Sequence, residues 1–128
     1  MKRILIDTNI YSNALRGDEQ IVSNLQAVEM IGISTISIGE LYCGFKGGHK
    51  ENKNRQELEE FLDSPRVVIY PVDVETADFY AQTLNTLRKQ GTPLPTNDIW
   101  IGATALQNGL KLYTLDKHFE KIAGINLL

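Results

Sequence analysis

One cysteine, Cys43, is all that the 128-residue chain carries. An internal disulfide and a cysteine-built zinc cage are therefore both excluded. Long apolar runs are also missing. None approaches the roughly 20 residues that a membrane-spanning helix needs. The basic tip of MKRILIDTNI leads into an apolar run that stops at Asp7, too short for the core of a secretion signal. The expectation is a cytoplasmic protein with no membrane association. Basic charge is not in excess either. Thirteen Lys and Arg face sixteen Asp and Glu, for a net charge of −3, whereas a general nucleic-acid binder is basic overall. The two histidines, His49 and His118, sit in charged surroundings and do not form a ligand pair at helical spacing. No GxSxG, GxxxxGK or GxGxxG motif is present, which leaves no motif for a serine hydrolase, a P-loop enzyme or a dinucleotide binder.

What is present suits one globular domain spanning residues 1–128, with 42% hydrophobic and 23% charged residues. Short apolar runs alternate with helical patterns. Strands are expected at 3–6 (RILI), 31–34, 66–72 (RVVIYPV), 111–115 and, last and short, 125–128. Helices are expected at 8–17, 19–30, 35–45, 51–64, 74–90 and 96–108, with a turn or short helix at 116–122. Gly17, Gly91 and Asn108-Gly109 serve as stops, Pro65 ends the fourth helix, and Thr96 or Asn97 is the expected N-cap of the last. This alternation predicts an α/β domain with a mainly parallel central sheet flanked by helices on both faces. Sites on such sheets lie just outside the carboxyl ends of the strands.

Four carboxylates stand out there. Asp7 directly follows the first strand and is the only charge between Arg3 and Arg16. Asp98 leads an apolar helix as the only charge between Lys89 and Lys111, and Glu40 is alone between Glu29 and Lys46. Asp116 directly follows the strand LYTL. If the first and fourth strands are central and parallel, Asp7 and Asp116 emerge at the same sheet edge. The residues three and four ahead on a helix share its face. For Glu40 these are Cys43 and Gly44, and for Asp98 they are Ile101 and Gly102. The small member of each pair leaves room for a ligand or a neighbouring segment.

Each acid also has an ordinary structural reading. Asp7 and Asp116 suit turns, Asp98 suits a positive helix N-terminus, and Glu40 suits a half-exposed helix face. Together, however, these readings weaken, because three of the four, Asp7, Glu40 and Asp98, sit alone in apolar surroundings without a Lys or Arg in their own segments. Two unit charges 4 Å apart repel by about 4 kcal/mol at an effective dielectric of 20. A cluster of such acids needs protons or a cation, and hard Mg²⁺ or Mn²⁺ favours oxygen ligands. Carboxylate-held metal is suited to phosphodiester hydrolysis.

The motifs ILIDTNI, STISIGELYCG, PTNDIWIGATAL and LYTLDKHF, in that order, resemble those of PIN-domain nucleases, and within them the VapC-type toxins of toxin–antitoxin pairs. They run from residue 4 to residue 119. The resemblance implies a Mg²⁺- or Mn²⁺-dependent endoribonuclease with Asp7, Glu40, Asp98 and Asp116 as its acidic quartet. It makes Asp7 and Asp98 the most direct metal ligands, with Glu40 and Asp116 completing the set directly or through water. Asn9 and Thr114 match supporting polar positions. It also implies an RNA substrate, a homodimer, and a small antitoxin that wraps the toxin in a hetero-oligomer. The apolar helices at 9–30 and 35–45 are candidates for the antitoxin groove.

Because the chain is acidic, RNA contact must come from a local patch. KGGHKENKNR is the candidate, with Lys46, Lys50, Lys53 and Arg55, and Arg88 and Lys89 are others. The same segment also reads as a solvated loop and helix start. A non-toxin PIN nuclease is one alternative. A Mg²⁺-binding signalling receiver domain is the rival from another class. It would need a second acid after the first strand, where Thr8 and Asn9 stand, and a phosphate-accepting Asp after a central strand, for which Asp73 is a poor candidate, and it would leave Asp98 and Glu40 without a role.

Overall fold

The computed structural model describes residues 2–128. The order of elements is β1 (Arg3–Ile6), α1 (Thr8–Leu15), α2 (Glu19–Ala27), β2 (Met30–Ser34), α3 (Thr35–Lys46), α4 (Glu51–Leu62), β3 (Val67–Tyr70), α5 (Val74–Gln90), α6 (Thr96–Asn108) and β4 (Lys111–Tyr113), with a 3-10 helix at Lys117–Lys121. Ile4, Leu5 and Ile6 are all buried because β1 is covered on both faces, as a continuous apolar run requires. Side chains alternate across a strand. Ile4 and Ile6 therefore join Ile10, Ile21, Ile33, Leu41 and Leu58 in one core layer, under α1 to α4. Leu5 joins Leu87, Ile99, Ile101, Leu112 and Phe119 in the other, under α5 and α6.

The sheet is four-stranded, wholly parallel, in the order β3-β2-β1-β4. From β1 the chain steps outward to β2 and β3, then returns to place β4 on the other side of β1. The order thus reverses between β1 and β4, and the crevice at such a reversal is where open parallel sheets place their sites. Ile6 of β1 registers with Ile33 on one side and Tyr113 on the other.

Several sequence expectations shift. Strand β3 is shorter than 66–72 and ends before Pro71, which has no N–H to give the ladder. Strand β4 lies at the edge of the four rather than centrally, and it stops at Tyr113. The expected strand at 125–128 is reduced to an isolated bridge from Leu127 to Leu112, with the Leu128 N–H donating to the Leu112 carbonyl at 3.0 Å. Helix α2 ends at Ala27 because Val28 is already extended. The expected caps Thr96 and Asn97 lie inside α6, whose N-cap position is Pro95 without a side-chain cap bond. Gly91 and Gly109 end α5 and α6 at φ +68° and +63°, a backbone state that glycine adopts without the Cβ penalty.

Helix α2 has no basic residue in its last turn. Arg66, just before β3, supplies one from a distance in sequence, its Nη2 donating to the carbonyls of Leu25 (2.7 Å) and Val28 (2.5 Å). Charged hydrogen bonds to the free carbonyls of a helix end are stabilising. The Arg66→Ala variant is expected to lose about 1–2 kcal/mol, read as a lower urea midpoint with unchanged slope. A midpoint equal to wild type would show that solvent replaces the contact at no cost.

Candidate active site

The sheet edge beyond the carboxyl ends of β1 and β4 is held together by a short chain of polar contacts. The Asp7 backbone N–H donates to the Tyr113 carbonyl at 2.9 Å, which ties the end of β1 to the end of β4. Asp7 then caps α1, its Oδ1 accepting from the Thr8 N–H at 2.8 Å. The Thr114 hydroxyl donates to Asp7 Oδ2 at 2.8 Å and accepts from the Asp116 N–H at 3.0 Å. Asp116 caps the 3-10 helix, accepting from the His118 N–H at 2.9 Å, and the His118 ring Nδ1 lies 3.5 Å from the same oxygen. Thr114 is therefore the link between the first and last acids of the set.

The other two acids approach from the helical layers. Glu40 lies midway along α3, and its Oε1 accepts from the Thr8 hydroxyl at 2.6 Å. Asp98 lies in the first turn of α6, and the preceding Asn97 donates its amide to Glu40 Oε2 at 3.3 Å. Residues 7, 40, 98 and 116 thus come from four segments and from both sides of the sheet.

Asp7 is only 6% exposed. Burial pushes its carboxyl above the usual range, opposed by the hydrogen bonds from Thr114 and Thr8 and reinforced by Glu40 and Asp116. Asp98 is pushed up to about 6, first by burial and then by Asp7, Asp116 and Glu40, with His118 acting the other way. Burial and like charge both disfavour the ionised form. Among the described residues no Lys or Arg forms an ion pair with any of the four. Among the described residues no group of three or more His, Cys, Asp or Glu stands close enough together to hold a metal ion. An all-oxygen donor set of this openness fits a hydrated divalent cation, since Mg²⁺ keeps several waters and needs only one or two protein carboxylates.

The glycines near the two helical acids divide in meaning. A Cβ on Gly102 would fall 2.6 Å from Ile122 Cδ1, so smallness there serves packing against the chain's own C-terminal segment. At Gly44 nothing lies within 4 Å of that position. Beside it runs an open groove of about 640 Å³ lined by Thr35, Ile36, Gly39, Glu40, Cys43, Gly44 and Asn97.

Of the supporting residues expected, Thr114 contacts Asp7 directly, whereas Asn9 is exposed on α1 and makes no side-chain hydrogen bond to the four acids among the described residues. Thr8 and Asn97 were missed. Thr8 stands beside Asp7 in sequence, which is the available signal, and Asn97 reads from sequence as a capping residue. The basic stretch lies at the junction of α3 and α4. Lys46 pairs with Glu51 at 3.2 Å and Arg55 lies 4.0 Å from the centroid of the Tyr42 ring, while Lys50 and Lys53 are exposed. Asp73 is occupied as the capping-box residue of α5 and also accepts from the Gln107 amide, so it does not provide the free acceptor that a receiver domain needs.

A family model described as PIN domain matches residues 4–125. The chain is 36% identical to "Ribonuclease VapC1" of Rickettsia felis over 75% of this chain and 73% of that protein. It is 31% identical to "Plasmid stability protein StbB" of Pseudomonas syringae pv. tomato over 98% and 96% of the two chains. Among solved structures, a chain of the VapBC2 complex from Rickettsia felis, bound to a DNA fragment from its promoter, superposes with a TM-score of 0.90 at 25% identity, covering 98% of this chain and 97% of that one.

Proposed function

The chain belongs to the PIN domain family, and from that membership we propose that residues 1–128 form one metal-dependent endoribonuclease domain, the toxin of a toxin–antitoxin pair. The observation that carries the reading is that Glu40 and Asp116 lie near enough to Asp7 and Asp98, beyond the β1 and β4 ends, to push both carboxyls up, with no Lys or Arg ion-paired to any of the four among the described residues. PIN-domain nucleases are metal-dependent in general. Here Asp7 and Asp98 would hold Mg²⁺ or Mn²⁺ directly, and Glu40 and Asp116 would do so directly or through water. When bound, the cation supplies an activated water and charge stabilisation for the phosphoryl transition state.

The chain's own residues prepare that chemistry. Thr114 and the Thr8 N–H fix both oxygens of Asp7. Burial of Asp7 and Asp98 raises the cost of leaving the two charges uncompensated, which favours a cation between them. Asn9 is a polar neighbour on the first turn of α1. Lys46, Lys50, Lys53 and Arg55 supply the local positive patch for an RNA strand despite the acidic whole.

The antitoxin is assigned to the apolar groove between α1, α2 and α4, lined by Ile6, Tyr11, Ala14, Leu15, Val22, Leu25 and Phe61 among others. Leu15 is 51% exposed there, and the buried Tyr11 hydroxyl has no hydrogen-bond partner among the described residues. Of the helices expected from sequence, 9–30 contributes α1 and α2 to this groove, joined by Phe61 of α4, while α3 lines the separate groove beside Glu40. A homodimer in a cytoplasmic complex with the antitoxin completes the proposal. No helix among the described residues is long and apolar enough to cross a membrane.

The test is cleavage of total cellular RNA by the antitoxin-free protein. Cutting with Mg²⁺ or Mn²⁺, lost on adding a chelator, is expected. A folded protein that neither cuts RNA nor binds Mn²⁺ in calorimetry would overturn the reading.

A further inference from the structure

Glu40 is the acid that the sequence places least well. It lies inside a helix, with no strand end to position it, and α3 approaches the site from one layer of the sandwich while Asp98 approaches from the other. Its two oxygens are nevertheless both engaged. Oε1 accepts the Thr8 hydroxyl at 2.6 Å and Oε2 accepts the Asn97 amide at 3.3 Å. Both donors are sequence neighbours of other acids in the set. Thr8 follows Asp7 and also gives it a backbone N–H at 2.8 Å, and Asn97 precedes Asp98.

We propose that Thr8 and Asn97 are positioning residues that clamp Glu40 in register with Asp7 and Asp98; this rests on the ribonuclease reading above. One bond sets Glu40 relative to the end of β1, the other relative to the first turn of α6, so the spacing of three acids is fixed across both layers. A carboxylate offers about four lone-pair sites. The clamp uses one on each oxygen and leaves the rest for a water or cation. It also holds a flexible glutamate side chain, whose rotamer freedom would otherwise have to be lost on binding. The contacts lie outside both core layers, so their loss is expected to leave folding intact. Asn97 is exposed, and the Thr8–Glu40 pair lies at the rim rather than in either core layer.

The experiment uses Thr8→Val, Thr8→Ser and Asn97→Leu in the full chain. It reads the Mn²⁺ dissociation constant by calorimetry, kcat and KM for RNA, and melting temperature without metal. Thr8→Val keeps the branched shape and removes the hydroxyl. It is expected to weaken Mn²⁺ binding and lower kcat by about 10- to 100-fold, the usual range for residues that orient metal ligands. KM and melting temperature should stay near wild type, and Thr8→Ser should recover most of the loss. Asn97→Leu, losing the longer and more exposed bond, is expected to show the same pattern at smaller size. Wild-type Mn²⁺ affinity and kcat in both Thr8→Val and Asn97→Leu would overturn the clamp, as would a Thr8→Ser variant as impaired as Thr8→Val. A wild-type protein that neither binds Mn²⁺ nor cuts RNA would overturn the ribonuclease reading, and the clamp with it.

Discussion

Asp98→Asn is expected to lose about three orders of magnitude in RNA cleavage and yet to melt at a higher temperature than wild type near pH 7.5 without divalent metal. The loss follows from removing a carboxylate that would hold the cation, whose contribution of several kcal/mol to the transition state corresponds to about a thousandfold. The gain in stability has a separate cause. In the folded chain the Asp98 carboxyl is pushed up to about 6 from its ordinary 3.8, by burial first and by Asp7, Asp116 and Glu40 next. The folded state therefore holds a proton more firmly than the unfolded one. Stability from this group is fully present below about pH 4 and is lost as the pH rises through about 6. A shift of this size corresponds to at most about 3 kcal/mol, and Asp98 is only partly buried, so about 1–2 kcal/mol is expected after solvent screening. Asparagine carries no such penalty. Thermal melts with a chelator should show the variant several degrees above wild type at pH 7.5, with the gap closing toward pH 4. A gap that stayed constant across that window would mean that like-charge strain at Asp98 is not its source. Retained cleavage would remove Asp98 from the site.

Phe119→Ala is expected to cause the largest loss of stability of any variant considered, about 3–5 kcal/mol. Phe119 is fully buried, among Leu5, Ile99, Ile101, Leu112 and Ile122. Its removal leaves a cavity on the α5–α6 side of the sheet that the rigid strands cannot close. The residue also anchors the 3-10 helix that Asp116 caps. The loosened turn should let Asp116 drift from Thr114, so cleavage should fall by more than the unfolded fraction accounts for. Urea denaturation gives the stability and cleavage at a temperature where the variant remains folded gives the rest. A loss below about 1 kcal/mol would show that the site collapses onto the deleted ring, and full activity in the folded variant would separate Asp116 placement from the core beneath it.

The elements were largely legible because their signals are local. Helix α5 fell at 74–90 and α6 at 96–108, each bounded by a glycine that can take the left-handed state. RILI read as a buried strand because three consecutive apolar residues leave no solvent-facing position. The errors came where a contact distant in sequence outweighed a local preference. INLL has strand composition, yet the structure gives it only the outer side of a three-residue edge strand to pair with. Asn97 has capping chemistry, yet its amide goes to Glu40 on another helix. Gly102 resembled space left for a ligand until Ile122, twenty residues on, filled it.

For the candidate site the division is similar. The sequence alone singled out the candidate carboxylates, Asp7, Glu40 and Asp98 because a lone charge in an apolar segment is costly to bury and stands out against that background, and Asp116 because it follows an apolar run. It also placed Asp7 directly after a strand, as the structure has it, and Asp116 directly after another, whereas β4 ends at Tyr113 and leaves Thr114 and Leu115 between. It did not contain the strand order. Only the tertiary structure decided that the chain doubles back so that β4 lies beside β1, bringing Asp116 within a single threonine of Asp7. Only the packing of α3 and α6 at the edge of one sheet decided that Thr8 and Asn97 both reach Glu40. The physical reason is one of range. Burial patterns, caps and turns are set by neighbours a few residues away, whereas the meeting of residues 7, 40, 98 and 116 depends on how the strands are ordered and the helices packed, which no short stretch of sequence encodes.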